Sequence, residues 1–232
     1  MVRHQRGFTI IEVLLFLSIS GLLMALLFVG TGIAIQRQQY QDTIQSFASF
    51  LRSQYAAMVS VENDDPAGSK CPIDNTTATR GQSECVIIGR YLQADDSEGR
   101  RYKTFPVYAK KVGGAWQYRY GEHDGDYEVN WSARTKLAGR SDGDAVQFSV
   151  VIYRDPETGQ VAVKSDSRTY TPAEIGIAMQ HAGETTVREI CVYDTGWLSP
   201  ERRSVFISPR AGSSDAVTIA PASDGCKDDG DV

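Results

Sequence analysis

Between Phe8 and Ile35 the chain is apolar at nearly every position; beyond that, an apolar residue returns at every third or fourth place. The first stretch, 8–35, exceeds the ~20 residues a helix needs to cross a lipid hydrocarbon core. In the second, Tyr40, Ile44, Phe47, Leu51, Tyr55 and Met58 form one stripe at helical period. Gln41, Asp42, Gln45, Ser49, Arg52 and Ser53 occupy the other faces. No proline separates the two patterns, so they predict a single helix over 8–61, about 80 Å long at 1.5 Å per residue. Gly21, Gly30 and Gly32 are its weak points. The half 8–35 has no polar face and needs lipid or other helices around it. The half 36–61 needs a globular surface beneath its stripe.

After the helix the pattern changes again. Residues 62–82 are rich in Asp, Asn, Thr, Gly and Pro and read as a loop. Short β-like runs follow at 85–92, 102–111, 115–120, 126–131, 145–154, 160–164, 186–193, 204–208 and 216–219. Asp155-Pro156-Glu157-Thr158-Gly159 reads as a hairpin turn. Residues 172–181 predict a short helix or an irregular connection. The fold class expected is α+β: a long N-terminal helix packed on an antiparallel β-sheet head that occupies 62–232.

One charge, Glu12, interrupts the apolar stretch. An unpaired carboxylate there costs roughly 2.5–3.5 kcal/mol on insertion scales. Glu12 therefore calls for a partner, and cleavage before Phe8 would create one, a new N-terminal amine. An ordinary secretory signal does not fit. Its apolar region spans roughly 7–15 residues and ends in a small-residue cleavage site, whereas this run ends in Gln36-Arg37-Gln38-Gln39-Tyr40. Arg3 and Arg6 precede the run, which predicts a cytoplasmic leader and an outward-facing remainder.

The tract RGFTIIEVLLFLSISGLL, with Gly7 followed by Phe8 and then Glu12, resembles the signal of type IV prepilins. The resemblance implies a leader at 1–7, cleavage between Gly7 and Phe8, and N-methylation of Phe8. It implies a transmembrane and assembly helix at 8–35, with its amphipathic half at 36–61. In that family the carboxylate equivalent to Glu12 meets the terminal amine of a neighbouring subunit. The implied partners are a prepilin peptidase and methyltransferase, other pilin subunits, and the inner-membrane assembly platform of a pilus or secretion system. The implied location is the cytoplasmic membrane, crossed once with the head outside, and then a pilus at the cell surface. Many pilins carry proline where this chain has Val29, which leaves melting of the helix on assembly open. Cys191-Val192-Tyr193-Asp194-Thr195-Gly196, followed by Arg203-Ser204-Val205-Phe206-Ile207-Ser208-Pro209-Arg210-Ala211-Gly212, resembles the end of the FimT/GspH group of minor pilins and pseudopilins.

Composition narrows this further. The 232 residues carry a formal charge of −5, and losing Arg3 and Arg6 with the leader makes the balance more acidic. That argues against direct nucleic-acid binding. The basic pairs Arg100-Arg101, Lys110-Lys111 and Arg202-Arg203 read as solvated strand ends, and the tail SDGCKDDGDV would repel phosphate. Cys71, Cys85, Cys191 and Cys226 all follow the membrane stretch, without zinc-site spacing. In an oxidising compartment they predict two disulfides. Of the three connectivities, Cys71–Cys85 and Cys191–Cys226 are favoured, because the second would tie an acidic tail to a core strand.

No catalytic activity is expected. The histidines are His4, His123 and His181, and no H-x-x-x-H, G-x-S-x-G or P-loop motif occurs. No cofactor or metal is expected either. The turns Asp124-Gly125-Asp126, Asp142-Gly143-Asp144 and Asp228-Asp229-Gly230-Asp231 offer oxygen ligands suited to calcium, but none has the spacing of a calcium loop. Three readings follow: a minor pilin acting in adhesion, motility or DNA uptake, a pseudopilin of a type II secretion system, or a membrane-anchored binding domain that does not assemble.

Overall fold

The computed structural model describes residues 9–59, 70–77, 84–96, 99–139, 147–180, 188–194, 202–208, 214–223 and 226. Helix α1 runs unbroken from Ile10–Val59, about 75 Å at 1.5 Å per residue. It passes straight through Gly21, Gly30 and Gly32. The expected continuation to residue 61 lies outside the described residues.

Among the described residues the head holds ten strands: β1 (Val86–Ala94), β2 (Arg101–Val112), β3 (Ala115–Tyr120), β4 (Gly125–Glu128), β5 (Ala133–Leu137), β6 (Ser149–Arg154), β7 (Val161–Asp166), β8 (Arg188–Asp194), β9 (Arg202–Ile207) and β10 (Val217–Pro221). A short helix α2 (Ile175–Gln180) separates β7 from β8. The strands form two antiparallel sheets. One has the order β3-β2-β1-β6-β7, with β4 also paired to β2; the other is β10-β9-β8-β5. Pro106, which has no N–H to give, falls where the neighbour of β2 changes from β4 to β3.

The stripe on α1 is the keystone of this arrangement. Tyr40, Ile44, Phe47, Leu51, Tyr55 and Met58 are all buried, among Leu92, Tyr102, Val150 and Ile152 of the first sheet and Ile190, Val192, Val205, Ile207 and Val217 of the second. Each such side chain contributes about 1.5–3 kcal/mol by leaving water. The other face of the first sheet is also covered: Tyr91, Val107, Ala109, Val151 and Tyr153 pack against Tyr170, Ile175, Ala178 and Met179. With both faces covered, Ser149–Tyr153 of β6 are buried without alternation.

Two sequence expectations change. Strand β5 was not expected, because Ala-Arg-Thr-Lys-Leu is short and carries two cations. It forms because β8 supplies a ladder partner from Ala133 to Leu137 and because its polar groups are satisfied. Thr135 hydrogen-bonds Tyr102 and the Gly99 carbonyl, and Lys136 Nζ lies 5.6 Å from the Tyr193 ring centre. The run expected at 126–131 stops at Glu128, where the chain turns through Trp131 with a positive φ of 58°. Most of the expected loop 62–82 lies outside the described residues, but Lys70 and Thr77 bridge to close a small turn within it.

Candidate processing and assembly segment

The helix begins with a built cap. Thr9 Oγ1 accepts a hydrogen bond from the Glu12 N–H at 3.3 Å, and the Thr9 carbonyl accepts from Glu12 and Val13. Thr-x-x-Glu is the signature of a capping box, in which the acid three residues on favours the positive end of the helix. The same four residues thus read both as a helix start and as part of the signal. Thr9 was missed as a functional position, although its spacing from Glu12 carried the information. Among the described residues, no cation lies within ion-pair distance of Glu12.

From Ile10 to Ile35 the apolar side chains are bare, except for the partly covered Ile33. Ile10, Leu14, Phe16, Leu22, Leu26 and Phe28 are each more than half exposed. Two of the hydroxyls within this stretch are turned inward on the helix itself: Ser18 Oγ donates to the Leu14 carbonyl at 2.8 Å, and Thr31 Oγ1 to that of Leu27 at 2.9 Å. Such back-bonding lets a hydroxyl sit in an apolar medium without an orphaned donor. Glu12 remains the one charged side chain there. The helix is long and apolar enough to cross a membrane.

The head takes hold where the apolar run ends. Gln36 Nε2 donates to Asp194 at 2.7 Å, Tyr40 Oη to the Val192 carbonyl at 2.6 Å, Arg52 to the Val217 carbonyl at 2.9 Å and Tyr55 Oη to the Ser208 carbonyl at 3.2 Å. Burial pushes the Tyr55 phenol pKa well up, so it stays a neutral donor.

The remaining candidates sit elsewhere. Gly7 and Phe8 lie outside the described residues. The structure joins Cys71 to Cys85 and Cys191 to Cys226. The second bond is backed by Glu189, whose carboxylate accepts from Ser204, from the Ser223 hydroxyl and from the Ser223 N–H. No sequence pattern announced that clamp, since the groups are far apart along the chain. Of the acidic turns, Asp124 is occupied by Arg90 and Thr104, and Asp126 accepts from His123. The turns at 142–144 and 228–231 lie outside the described residues. Among the described residues, no three His, Cys, Asp or Glu side chains come together to hold a metal. The basic pairs are engaged locally: Arg101 with Asp96, Lys110 with Asp74, Lys111 over Trp116 and Arg202 with the Cys226 carbonyl. A cleft of about 510 Å³ opens beside Lys164, Asp166, Tyr170, Arg188 and Glu189.

Residues 2–28 match the family model described as the prokaryotic N-terminal methylation motif. Neither the curated proteins nor the solved structures give a significant match. That motif leads into a bare apolar helix, and the helix into an antiparallel β head; in its processing signal and its α+β architecture the chain is type IV pilin-like.

Proposed function

We propose that this chain is a minor type IV pilin. It is held in the cytoplasmic membrane by 8–35 with its head on the outer side, cut between Gly7 and Phe8, methylated on Phe8 and assembled into a filament. The observation that carries the reading is the methylation motif at 2–28 running into a helix whose first half is exposed on all sides. A surface of that kind is stable only in lipid or among other helices. During assembly Glu12 takes the terminal amine of a neighbouring subunit, which offsets the burial of both charges and sets the axial register. The chain itself performs no chemistry; the peptidase and methyltransferase act on it.

A pseudopilin of a type II secretion system is the second reading. It is favoured by β8 and β9, where Cys191 lies across the ladder from Ser204, in the segment that resembles the FimT/GspH group. A strain lacking this chain separates the two: lost piliation with intact secretion supports the pilin, and the reverse supports the pseudopilin.

Mass spectrometry of the mature N-terminus tests the processing. A chain beginning at Phe8 with one added methyl group is expected; a start elsewhere, in the presence of the peptidase, sinks the proposal. Assembly is tested with Glu12→Ala and Glu12→Gln. Both should reach the membrane fraction normally and be nearly absent from sheared filaments, since breaking a buried pair costs roughly 3–5 kcal/mol. Full incorporation of Glu12→Gln would mean that helix capping, and not the charge, is what Glu12 contributes.

A further inference from the structure

Trp131 is 56 % exposed and holds a φ of +58°. A bulky residue in the left-handed region is strained, and glycine or asparagine would fit there at lower cost. Neither burial nor backbone geometry therefore accounts for a tryptophan at this turn. Its position along α1 is fixed by its neighbours. The Ser132 hydroxyl bonds Asp194, which also accepts from Gln36. On the other side, the Asn130 carbonyl lies 3.4 Å from Thr43 Oγ1. Trp131 is thus bracketed between helix positions 36 and 43, beginning where the apolar run ends and reaching about 12 Å beyond it at 1.5 Å per residue. The polar layer of a bilayer extends about 5–7 Å beyond each edge of the hydrocarbon core, so the turn lies at or just above that layer.

The helix supplies an independent reason for the head to approach the lipid. The exposed apolar stretch 10–35 is about 39 Å long at 1.5 Å per residue, against a core of about 30 Å. An overlong apolar helix tilts, and interfacial aromatic side chains fix the direction of the tilt. A tilt toward the Trp131 side lowers this edge of the head onto the membrane.

We propose that Trp131 is an interfacial anchor that seats the head of the unassembled subunit on the lipid headgroup layer and fixes the direction in which α1 tilts. The inference rests on the reading that 8–35 spans the membrane. Indole suits this layer because its ring is apolar while its N–H can still find water or a lipid oxygen.

The test uses the full mature chain with Trp116→Phe and Trp197→Phe, reconstituted at high dilution in phosphatidylcholine vesicles with and without bromine on the upper acyl chain. Flotation with the vesicles reads the membrane helix; fluorescence reads Trp131. Trp131 emission should fall in brominated vesicles relative to unbrominated ones, as for an indole at the interface. Flotation without bromine quenching overturns the anchor and leaves the membrane reading standing; absence of flotation overturns both. Emission that follows protein-to-lipid ratio and ignores bromine places a second copy on Trp131, and also overturns the proposal. Trp131→Gly in the wild-type background should melt at the same or a higher temperature, because the backbone strain is relieved. A clearly lower melting temperature would make Trp131 a structural residue and overturn the inference.

Discussion

The two halves of α1 have the same secondary structure and opposite relations to the rest of the chain. From Ile10 to Ile35 the helix touches almost nothing and is apolar all round. From Gln36 to Met58 it is amphipathic, and its stripe lies between two sheets that meet on it. Helical propensity is not the difference, since the backbone continues without a break. The difference is the solvent each half was written for. A uniform apolar surface is stable in lipid or among other helices, and a stripe is stable on a globular surface. One element therefore carries an apolar surface suited to lipid or other helices at one end and the core of the head at the other.

The same kind of truncation should have opposite outcomes in the two halves. Phe47→Ala removes a fully buried ring in contact with Phe50, Tyr102 and Tyr127. It should cost the head about 3–5 kcal/mol, read as a large fall in melting temperature by near-ultraviolet circular dichroism in detergent. Leu23→Ala, at a position 56 % exposed, should leave that temperature unchanged. Equal effects would mean that the first half also packs on the head.

A smaller effect is expected at the tail, which lacks any such stripe. Beyond β10 it is held by the Cys191–Cys226 bond and by Glu189 acting on Ser204 and Ser223. The bond closes a loop of 35 residues, for which chain entropy gives about 4 kcal/mol at most. With Glu189 still gripping Ser223, Cys226→Ser should lose about 2–3 kcal/mol, within the usual range for such a bond. Non-reducing peptide mapping checks the pairing itself; a Cys85–Cys191 peptide would overturn it.

What the sequence revealed follows from the range of the interactions. The stripe and the strands β2 and β3 are periodic, and β6 is an unbroken run of mostly apolar residues, so local pattern exposes them. Strand β5 is not periodic: its place is set by β8, more than fifty residues away, and by Thr135 contacts to Tyr102 and Gly99. The division into two sheets was equally hidden, because it depends on which strands α1 separates. At the N-terminus the signal was local and dense, and Glu12 stood out as a lone charge in an apolar run. The Thr9 cap lay in plain view three residues before it. The Glu189 clamp and the position of Trp131 arise only once distant segments meet, and no spacing rule anticipates them.

The smallest effect is expected in the turn held by Cys71–Cys85. Asp74 accepts from Lys110 Nζ at 2.6 Å and from the Thr76 N–H at 3.1 Å. These bonds, Lys110 first, hold its pKa near 2, down from the usual 3.8. A carboxyl depressed in the folded state stabilises it above the unfolded pKa and loses that contribution as pH falls through the folded one. The turn should therefore loosen as pH drops from about 3.8 towards 2, while α1 keeps its grip on the sheets. Asp74 is about a third exposed, so water and salt screen the pair and the change should stay local. Amide exchange measured at Asn75 and Thr76 across that range checks it. In Asp74→Asn the same amides should exchange faster at neutral pH and lose the acid step, while the amides of β8 stay as protected as in wild type. An acid step that survives Asp74→Asn would assign it to another carboxylate.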